Sequence, residues 1–443
     1  MIPAPGDRAQ SGWQRRHTIL AVLFAAYLLC YMDRMAIATA IPFMAKDFGL
    51  SPLGMGGVMS AFFIGYALMQ LPGGMLADKF GPRRVMILAI VGWSFFTVLT
   101  GLAGSLSVLL AIRVLFGASE GPFPPSASKT VAQWFPPDEV GRANGLILSA
   151  VQIGAAVAPL CVAWIIGEWG WRAVFYSLLV PGLLLALLVW IVVKDSPAPN
   201  PHNGPAPGQR DVPVGHAVPA GHGVPVGDGV PAGHGVPVGH VVPVGHVVAA
   251  ALPVREVLKL RTVRWSAVTI FLWSIAAWGL MNWLPTYLLQ ARGFSLSKLG
   301  LLGSLPYLAG ALGYFLGGYF SDGFFKNRRH IPIAAGLLGG GVTTYLATAA
   351  PTGEWAILAL ILSFLCVFIA AGGIFTLPLV TVPRHAVGAA FGFVNTAAQF
   401  AAFLSPLAVG YVLNVTHSDF NTVLYGFVGF FVLAAMAALR IRS

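Results

Sequence analysis

Twelve apolar runs, each long enough to cross a lipid bilayer, constrain the fold of this chain more than any other feature of its sequence. A helix needs about 20 apolar residues to span the hydrocarbon core. Only 9% of the 443 residues are charged, whereas a soluble domain carries roughly 25%. The composition therefore excludes a soluble protein and predicts an all-α membrane protein. The runs lie near residues 18–41, 54–77, 85–103, 107–128, 143–167, 173–193, 265–290, 299–321, 331–350, 355–378, 387–413 and 422–439.

The basic residues are distributed unevenly between alternate loops. If the N-terminus is cytoplasmic, the tails and loops on that side contain twenty of the 26 Lys and Arg residues. The positive-inside rule then predicts that both termini lie in the cytoplasm. The net charge of +11 therefore reflects membrane topology, and we expect no nucleic-acid partner. Four basic residues lie on the opposite side: Lys46, Arg172, Arg292 and Lys298.

A Pro- and Gly-rich segment divides the chain into two sets of six spans. Its six-residue repeat begins at Val212-Pro213-Val214-Gly215-His216 and ends at His246, and a proline in every repeat excludes a helix. We interpret it as a disordered linker, although its regularly spaced histidines could instead bind a metal or sense pH. The predicted divisions are an N-terminal tail (residues 1–17), a first half (18–193), a central loop (194–264), a second half (265–439) and a C-terminal tail (440–443).

The two halves carry related motifs after their second spans. Gly74-x-x-x-Asp78-Lys79-Phe80-Gly81-Pro82-Arg83-Arg84 follows span 2, and Gly318-x-x-x-Asp322 follows span 8. We expect a small glycine to let two helices approach closely, and an aspartate at the helix end to meet a nearby arginine or a helix N-terminus. Six residues of this motif are predicted to act in conformational change: Gly74, Asp78, Gly81, Arg83, Arg84 and Asp322.

Twelve spans, a long central loop and this repeated motif together resemble the major facilitator superfamily. The resemblance implies two six-helix halves around a substrate site near the membrane midplane. The second copy of the motif departs from the pattern. Phe325 occupies the position that corresponds to Gly81 in the first copy, and Asn327 occupies the position that corresponds to Arg83.

Four ionisable residues lie inside the spans: Asp33, Arg34, Arg113 and Glu120. Such residues are costly in lipid, so each should face a cavity or a partner. Adjacent helix residues point about 100° apart, so Asp33 and Arg34 cannot make the same contact, whereas Arg113 and Glu120 share a face. The alternative to a functional role is that Asp33 with Arg34, and Arg113 with Glu120, merely neutralise one another.

The surroundings of these charges favour a functional role. Span 1 contains Tyr31-Met32-Asp33-Arg34, and span 4 contains Arg113-x6-Glu120 followed by Gly121-Pro122-Phe123-Pro124-Pro125. The prolines should bend span 4 just past Glu120. The two segments together resemble the anion:cation symporter branch of the superfamily, which includes bacterial galactonate, glucarate and hexuronate importers and is related to sialin and the vesicular glutamate transporters. Gly121 departs from the alanine that is usual in that branch.

The resemblance implies a role for each intramembrane charge. Arg34 would bind the substrate carboxylate, Asp33 and Glu120 would be the protonatable pair, and Arg113 would tune them. Independently of the resemblance, a guanidinium stays charged and can bind a carboxylate with two parallel hydrogen bonds. Burial favours the protonated form of a carboxyl group and a nearby arginine opposes this, as a proton carrier requires. Two tyrosines match residues that line the cavity of similar transporters: Tyr31 and Tyr66.

Uncharged polar residues of the later spans are candidates for further substrate contacts, although interhelical hydrogen bonding is an equally good interpretation for each alone. Three tryptophans of span 7 recur every five residues and form no single stripe, so we expect most of them to be packing or interface anchors: Trp273, Trp278 and Trp283. The predicted substrate-contact residues are Gln152, Asn282, Thr376, Asn395 and Gln399.

The sequence carries none of the short catalytic or nucleotide-binding motifs in a fitting context, so we do not expect an enzyme. A membrane sensor without transport is a further alternative.

Organophosphate antiporters of the superfamily use a second arginine in span 7, where this chain has only Arg292 at the outer end. The span 5 motif of drug:proton antiporters is eroded around Ala158 and Pro159.

We therefore predict a secondary active transporter of a bacterial inner membrane. It would import a small organic anion, such as a sugar acid or another carboxylate, by proton symport with alternating access. The alternative is an organic anion or organophosphate antiporter or exchanger of the same superfamily. We expect a monomer in the lipid bilayer, with no metal and no cofactor, that is driven by the proton gradient.

Overall fold

A computed structural model describes residues 14–136, 139–194, 254–322, 325, 328–381 and 387–441. The described residues form helices joined by short turns. The helices are α1 (Arg15–Phe48), α2 (Pro52–Phe80), α3 (Pro82–Leu102), α4 (Leu106–Glu120), α5 (Phe123–Trp134), α6 (Val140–Trp169), α7 (Trp171–Ser177), α8 (Leu179–Val192), α9 (Val254–Lys259), α10 (Arg261–Thr286), α11 (Leu296–Asp322), α12 (His330–Thr348), α13 (Gly353–Thr381), α14 (Val387–Val415) and α15 (Phe420–Leu439).

The predicted number of membrane spans is confirmed. Within the described residues, twelve helical segments are long and apolar enough to cross a bilayer, and each overlaps one predicted run. Span 4 consists of α4 and α5, span 6 of α7 and α8, and a short π-helical segment, Tyr287–Ala291, extends α10. The all-helical architecture satisfies the backbone hydrogen bonds within each segment, as the absence of water in lipid requires.

Local sequence signals set the helix ends. Gly49 has a φ of +62° and ends α1 in the left-handed conformation that favours glycine. Ser51 then accepts a hydrogen bond from the Gly54 backbone N–H at 3.2 Å, and Pro52 occupies the first helical position of α2. A serine N-cap followed by proline satisfies the free N–H groups at a helix start.

The predicted bend in span 4 is also confirmed, as a break. Helix α4 ends at Glu120, and α5 begins at Phe123 after the Gly121-Pro122 dipeptide. Proline lacks the N–H that a continuous helix needs and sterically opposes the preceding turn. Glu120 therefore lies at a helix end inside the membrane rather than in a regular helix.

Glycines bring the backbones of α2 and α4 into direct contact. A Cβ atom added to Gly65 would lie only 1.9 Å from the Val114 carbonyl oxygen. One added to Gly117 would lie 2.0 Å from the carbonyl oxygen of Phe62. Because no larger residue fits at these positions, the crossing fixes the side chains of α2 against those of α4.

The most extensive contacts between the two halves, within the described part of the chain, join α1 with α10, α2 with α14, and α6 with α11. A Cβ added to Gly56, near the start of α2, would lie 2.3 Å from the Pro406 carbonyl oxygen. One added to Gly410, near the end of α14, would lie 2.5 Å from the Pro52 carbonyl oxygen. An even number of spans returns the chain to its starting side, so these tight contacts lie at the end of the bundle farther from the termini.

A short helix lies inside the segment predicted as a central loop. Helix α9 packs against α10 and α14, with Val257 and Val263 buried beside Ala390. Span 7 accordingly begins at Arg261, a few residues earlier than predicted. The repeat itself, with His216 through His246, lies outside the described residues.

Candidate substrate and proton site

The central feature of the site is an ion pair between Arg34 of α1 and Glu120 of α4. Arg34 Nη2 donates to Glu120 Oε1, and the two residues are 3% and 0% exposed. The alternative to a functional role paired Asp33 with Arg34 and Arg113 with Glu120, each within one helix, but this pair joins two helices. Within the described part of the chain, the second carboxylate oxygen of Glu120 and the Nε of Arg34 have no hydrogen-bond partner. The pair therefore leaves polar atoms on both side chains available to a ligand.

Aromatic rings surround the Arg34 guanidinium. Its Cζ atom lies 4.5 Å from the ring centroid of Tyr31, 4.6 Å from that of Phe62 and 4.8 Å from that of Tyr66. Trp278, on α10 of the other half, is 6.0 Å away. Cations over aromatic faces gain electrostatic attraction, more so where water is excluded. The rings therefore surround the guanidinium and shield its charge from lipid.

Glycine packing places two of these rings. Phe62 and Tyr66 are one turn apart on α2, and their backbones contact α4 at Gly117 and Gly121. A Cβ added to Gly121 would lie 2.7 Å from the Tyr66 carbonyl oxygen. Gly121 is therefore a point of contact between α4 and α2.

Asp33 faces away from the ring-lined side of Arg34, as the angle between adjacent helix residues predicts. Its carboxylate lies among Glu120 and Arg113 of α4 and the indole of Trp93 of α3. Asp33 is 3% exposed, and its Oδ1 atom has no hydrogen-bond partner among the residues that the structure describes. Asp33 and Arg34 thus occupy two different environments on one helix turn.

Arg113 is buried without a salt bridge to any acidic group among the described residues. Its Cζ atom lies 4.8 Å from the Phe116 ring centroid and 5.6 Å from that of Phe62, and its Nε has no partner. With Arg34, Asp33 and Glu120 it forms a group of two basic and two acidic side chains near the middle of the membrane. Ionisation of all four leaves the group neutral, so loss of either negative charge leaves a net positive site.

The predicted substrate-contact residues of the later spans lie in different environments. Gln152 is 1% exposed at the contact of α6 with α11, and neither atom of its amide has a partner. Asn282 Nδ2 donates to the Trp278 carbonyl oxygen at 2.8 Å. Asn395 and Gln399 are half-buried on α14. Among the described contacts, none of these residues hydrogen-bonds to Arg34 or Glu120. The side chain of Thr376, on α13, lies outside the described residues.

Lysine replaces arginine as the partner of the motif aspartate in the first half. Lys129 Nζ lies 2.6 Å from Asp78 Oδ1 and also donates to the Ala77 carbonyl oxygen at 3.1 Å. The sequence predicted that the aspartate meets a nearby arginine or a helix N-terminus. The structure pairs it with Lys129, which belongs to α5 and reaches the end of α2 through the fold. Arg83 Nη2 instead donates to the carbonyl oxygen of Trp190 in α8.

The close helix approaches near the two motifs are made by the glycines that precede the predicted ones. A Cβ at Gly74 would meet a side chain of α5 at an ordinary 3.8 Å, but one at Gly73 would lie 2.4 Å from the Pro122 Cα. Likewise a Cβ at Gly318 would meet nothing within 4 Å, but one at Gly317 would lie 2.2 Å from a carbonyl oxygen of α13. The packing prediction was wrong by one residue in both halves, because the sequence does not show which helix face meets a neighbour.

The remaining motif residues have simpler roles. Gly81 has a φ of +86° between α2 and α3, a backbone conformation that favours glycine at this turn. Arg84 is exposed. Asp322 ends α11, and its side chain lies outside the described residues.

Sequence reasoning missed Phe62, Trp93 and Trp278 as residues of the site. The indole N–H groups of Trp273 and Trp283 donate to backbone oxygens, as packing residues do. Trp278 lies instead beside Arg34, and its spacing of four residues from Asn282 was the signal that could have identified it.

Comparisons with known proteins agree with the fold. The family model described as Major Facilitator Superfamily matches residues 23–406. The chain is 34% identical over 409 residues to a probable sulfoacetate transporter of Cupriavidus necator, covering 91% of this chain and 88% of that protein. Over an alignment of 450 residues it is 31% identical to a probable galactarate/D-glucarate transporter of Escherichia coli K12, covering 98% of this chain and 96% of that protein.

Solved structures share the architecture at lower identity. A bacterial homologue of the human lysosomal transporter Spinster, in an inward-facing and unoccupied conformation, has a TM-score of 0.74 at 19% identity and covers 98% of this chain and 99% of its own. A D-xylose-proton symporter has a TM-score of 0.72 at 16% identity and covers 97% of this chain and 98% of its own.

Proposed function

The chain belongs to the major facilitator superfamily, and we propose that it imports a small organic anion together with protons. It is a transporter rather than an enzyme, and a multi-pass protein of the inner membrane. Relatives at about one-third identity are named as transporters of sulfoacetate and of galactarate and D-glucarate, in agreement with an organic anion as the substrate. Proton coupling, the direction of transport and the identity of the anion are parts of the proposal.

The observation that carries the proposal is the buried Arg34–Glu120 ion pair. A substrate carboxylate or sulfonate can replace Glu120 at the guanidinium only if the charge of Glu120 is removed, because two anions would otherwise compete for one cation. Breaking a buried pair is costly when one charge is left without a partner. Protonation of Glu120 and arrival of the anion should therefore occur together.

Asp33 and Arg113 complete the coupling group. Protonation of Asp33 and Glu120 leaves the charges of Arg34 and Arg113 uncompensated in a medium of low dielectric, which attracts an anion. Substrate binding restores neutrality. After reorientation, deprotonation on the side of lower proton activity returns Glu120 to Arg34 and displaces the substrate.

We propose that both termini face the cytoplasm, in keeping with the distribution of basic residues. The contacts of Gly56 and Gly410 close the halves at the end away from the termini. On this assignment the conformation is closed to the outside, and its intact Arg34–Glu120 pair corresponds to the site after substrate release. Because a single chain supplies the whole charge group, we propose that the monomer is the transporting unit.

Exchange of two anions, as in organophosphate antiporters, is the second candidate. The only described arginine near the outer end of span 7 is Arg292, whose guanidinium donates to the Ala347 and Ala350 carbonyl oxygens at 2.6 and 3.1 Å. Arg292 thus holds the end of α12 instead of pointing to the site. This arrangement favours symport.

Uptake by proteoliposomes containing the purified protein tests the proposal. Sulfoacetate, D-glucarate, galactarate and D-glucuronate serve as a panel of labelled anions. We expect one of them to accumulate under an inward proton gradient and an uncoupler to stop the accumulation. Equal accumulation without the gradient would exclude proton symport, and strict dependence on an internal counter-anion would identify an exchanger.

A further inference from the structure

Trp93 of α3 has a fully buried side chain whose indole N–H makes no hydrogen bond within the described part of the protein. The indoles of Trp273 and Trp283, also buried, donate to the carbonyl oxygens of Val367 and Pro406 at 2.9 and 3.3 Å. A buried N–H group usually has an acceptor, because leaving it unpaired is unfavourable. The surroundings of Trp93 should therefore contain an acceptor in at least one state of the transport cycle.

Packing places Trp93 at the same depth as the charge group. A Cβ added to Gly92, its chain neighbour, would lie 3.0 Å from the Ser119 Cβ of α4. Glu120, next to Ser119, is paired with Arg34 of α1. Three helices therefore meet at one level of the membrane, with Trp93 on one side of the ion pair.

The acceptor at this level is Asp33. Its carboxylate lies beside the Trp93 indole, and Asp33 Oδ1 and Trp93 Nε1 are both buried without a partner. The other charged groups that face Asp33 are Glu120 and Arg113, both from α4. A donor and an acceptor are thus neighbours, both shielded from water, and neither has another partner among the described residues.

The orientation of the indole is fixed by a further ring. Trp93 packs edge-to-face against Phe123, with 5.3 Å between the ring centroids and 87° between the ring planes. Phe123 is the first residue of α5, directly after the break that follows Glu120, and its ring lies 5.1 Å from that of Tyr27 of α1. Through Phe123, the indole therefore packs against the spans that carry Asp33 and Glu120.

We propose that Trp93 is a positioning residue of the proton site, whose indole N–H donates to the ionised carboxylate of Asp33. This inference rests on the proposed proton symport. It gives the two carboxylates different tasks. Glu120 is held by Arg34 and exchanges places with the substrate, whereas Asp33 is held by Trp93, which has no contact with Arg34 among the described residues. Binding of the anion then displaces Glu120 directly, whereas it affects the Asp33 carboxylate only through the electrostatic interaction between the two charges.

Infrared difference spectroscopy of the purified protein in lipid, recorded across a pH titration without substrate, tests this assignment. The carbonyl band of protonated Asp33 is identified as the one missing in Asp33→Asn. In Trp93→Phe, which keeps a ring but removes the donor, we expect the midpoint of this band to move to higher pH by about one unit, because a hydrogen bond to the ionised form is lost. The same midpoint in the variant and the wild type would overturn the proposal.

Trp273→Phe is the matched control, because it also removes a buried indole N–H but in the other half; its Asp33 band should titrate as in the wild type. If Trp93→Phe does not fold, indole ¹⁵N–H resonances provide a second test. One of them should shift with pH in the wild type and stop shifting in Asp33→Asn, and an indole spectrum that is independent of pH in both proteins would refute the contact.

The two proposals fail in different ways. If the Asp33 midpoint moves in Trp93→Phe but no anion of the panel is transported against its gradient, the hydrogen bond is supported and the proposed function fails. If proton-driven uptake is found but the midpoint is unchanged, the transporter assignment stands and the role of Trp93 is rejected.

Discussion

Arg34 and Glu120, which are 86 residues apart in the chain, form an ion pair that is almost fully buried. The pair links α1 to the end of α4, at the point where Pro122 interrupts the helix. A charge-assisted contact of this kind is stable only while both groups are ionised. Protonation or a competing anion can therefore open it, and the following predictions depend on this property.

Arg34→Lys should lower uptake of the transported anion by at least about tenfold, because a compact ammonium group cannot make the two parallel hydrogen bonds of a guanidinium or stack equally well on Tyr31, Phe62 and Tyr66. Initial uptake rates and substrate-induced thermal shifts measure the loss. Arg84→Lys, at an exposed position, is the control and should transport normally. Unchanged affinity in Arg34→Lys would make Arg34 a structural residue.

Glu120→Gln should exchange substrate across the membrane without accumulating it. The amide keeps the size of the side chain but cannot carry a negative charge back to Arg34, so proton-driven release is lost. Counterflow and gradient-driven uptake, measured on the same proteoliposomes, separate the two activities. Glu139→Gln, which removes a half-buried partner of Arg16 away from the site, should retain both. Concentrative uptake at the wild-type level in Glu120→Gln would exclude it from coupling.

Trp278→Leu should raise the KM for the anion by about threefold to tenfold with a smaller change in maximal rate. The ring contributes a cation–π contact to Arg34 and packs against Phe63 with 5.3 Å between the ring centroids, and such contacts contribute about 0.5–2 kcal/mol. Trp164→Leu, at a residue that is 61% exposed, controls for the loss of an indole. Equal KM values in the two variants would contradict a role for Trp278 at the site.

Gly117→Ala should destabilise the protein by about 1–3 kcal/mol, as overpacking commonly does, because the new Cβ would lie 2.0 Å from the Phe62 carbonyl oxygen. Thermal unfolding in detergent provides the measurement. Gly145→Ala, where a Cβ would meet nothing within 4 Å, should be neutral or stabilising by up to about 1 kcal/mol. Similar unfolding temperatures for the two variants would show that the crossing of α2 and α4 can relax.

Deletion of most of residues 200–248 should leave transport nearly intact, provided that enough chain remains to connect the halves. The Pro-rich repeat has no span-forming pattern, and the residues of the site all lie outside it. Uptake is compared at equal amounts of protein in the membrane. If the deletion variant reaches the membrane but does not transport, the histidine array is a regulatory element, and zinc titration of the full-length protein would examine it.

Much of the architecture follows from local features of the sequence. The length of an apolar run decides whether a helix can cross the bilayer, so the twelve spans could be predicted one by one. The break after Glu120 follows from Pro122 and its neighbours, because a missing backbone N–H acts within one helical turn. The separation of Asp33 from Arg34 onto two faces follows from helix geometry alone. All of these depend on residues that are close in the chain.

Tertiary structure alone decided which side chains meet. The pairing of Arg34 with Glu120, the contact of Trp278 with Arg34 across the halves and the contact of Lys129 with Asp78 join residues from different helices. In an apolar chain almost every helix face is hydrophobic, so the sequence does not mark which face is turned inward. That choice is made by close backbone approaches such as those at Gly73 and Gly117, since van der Waals packing between helices, rather than exclusion of water, orients helices in lipid.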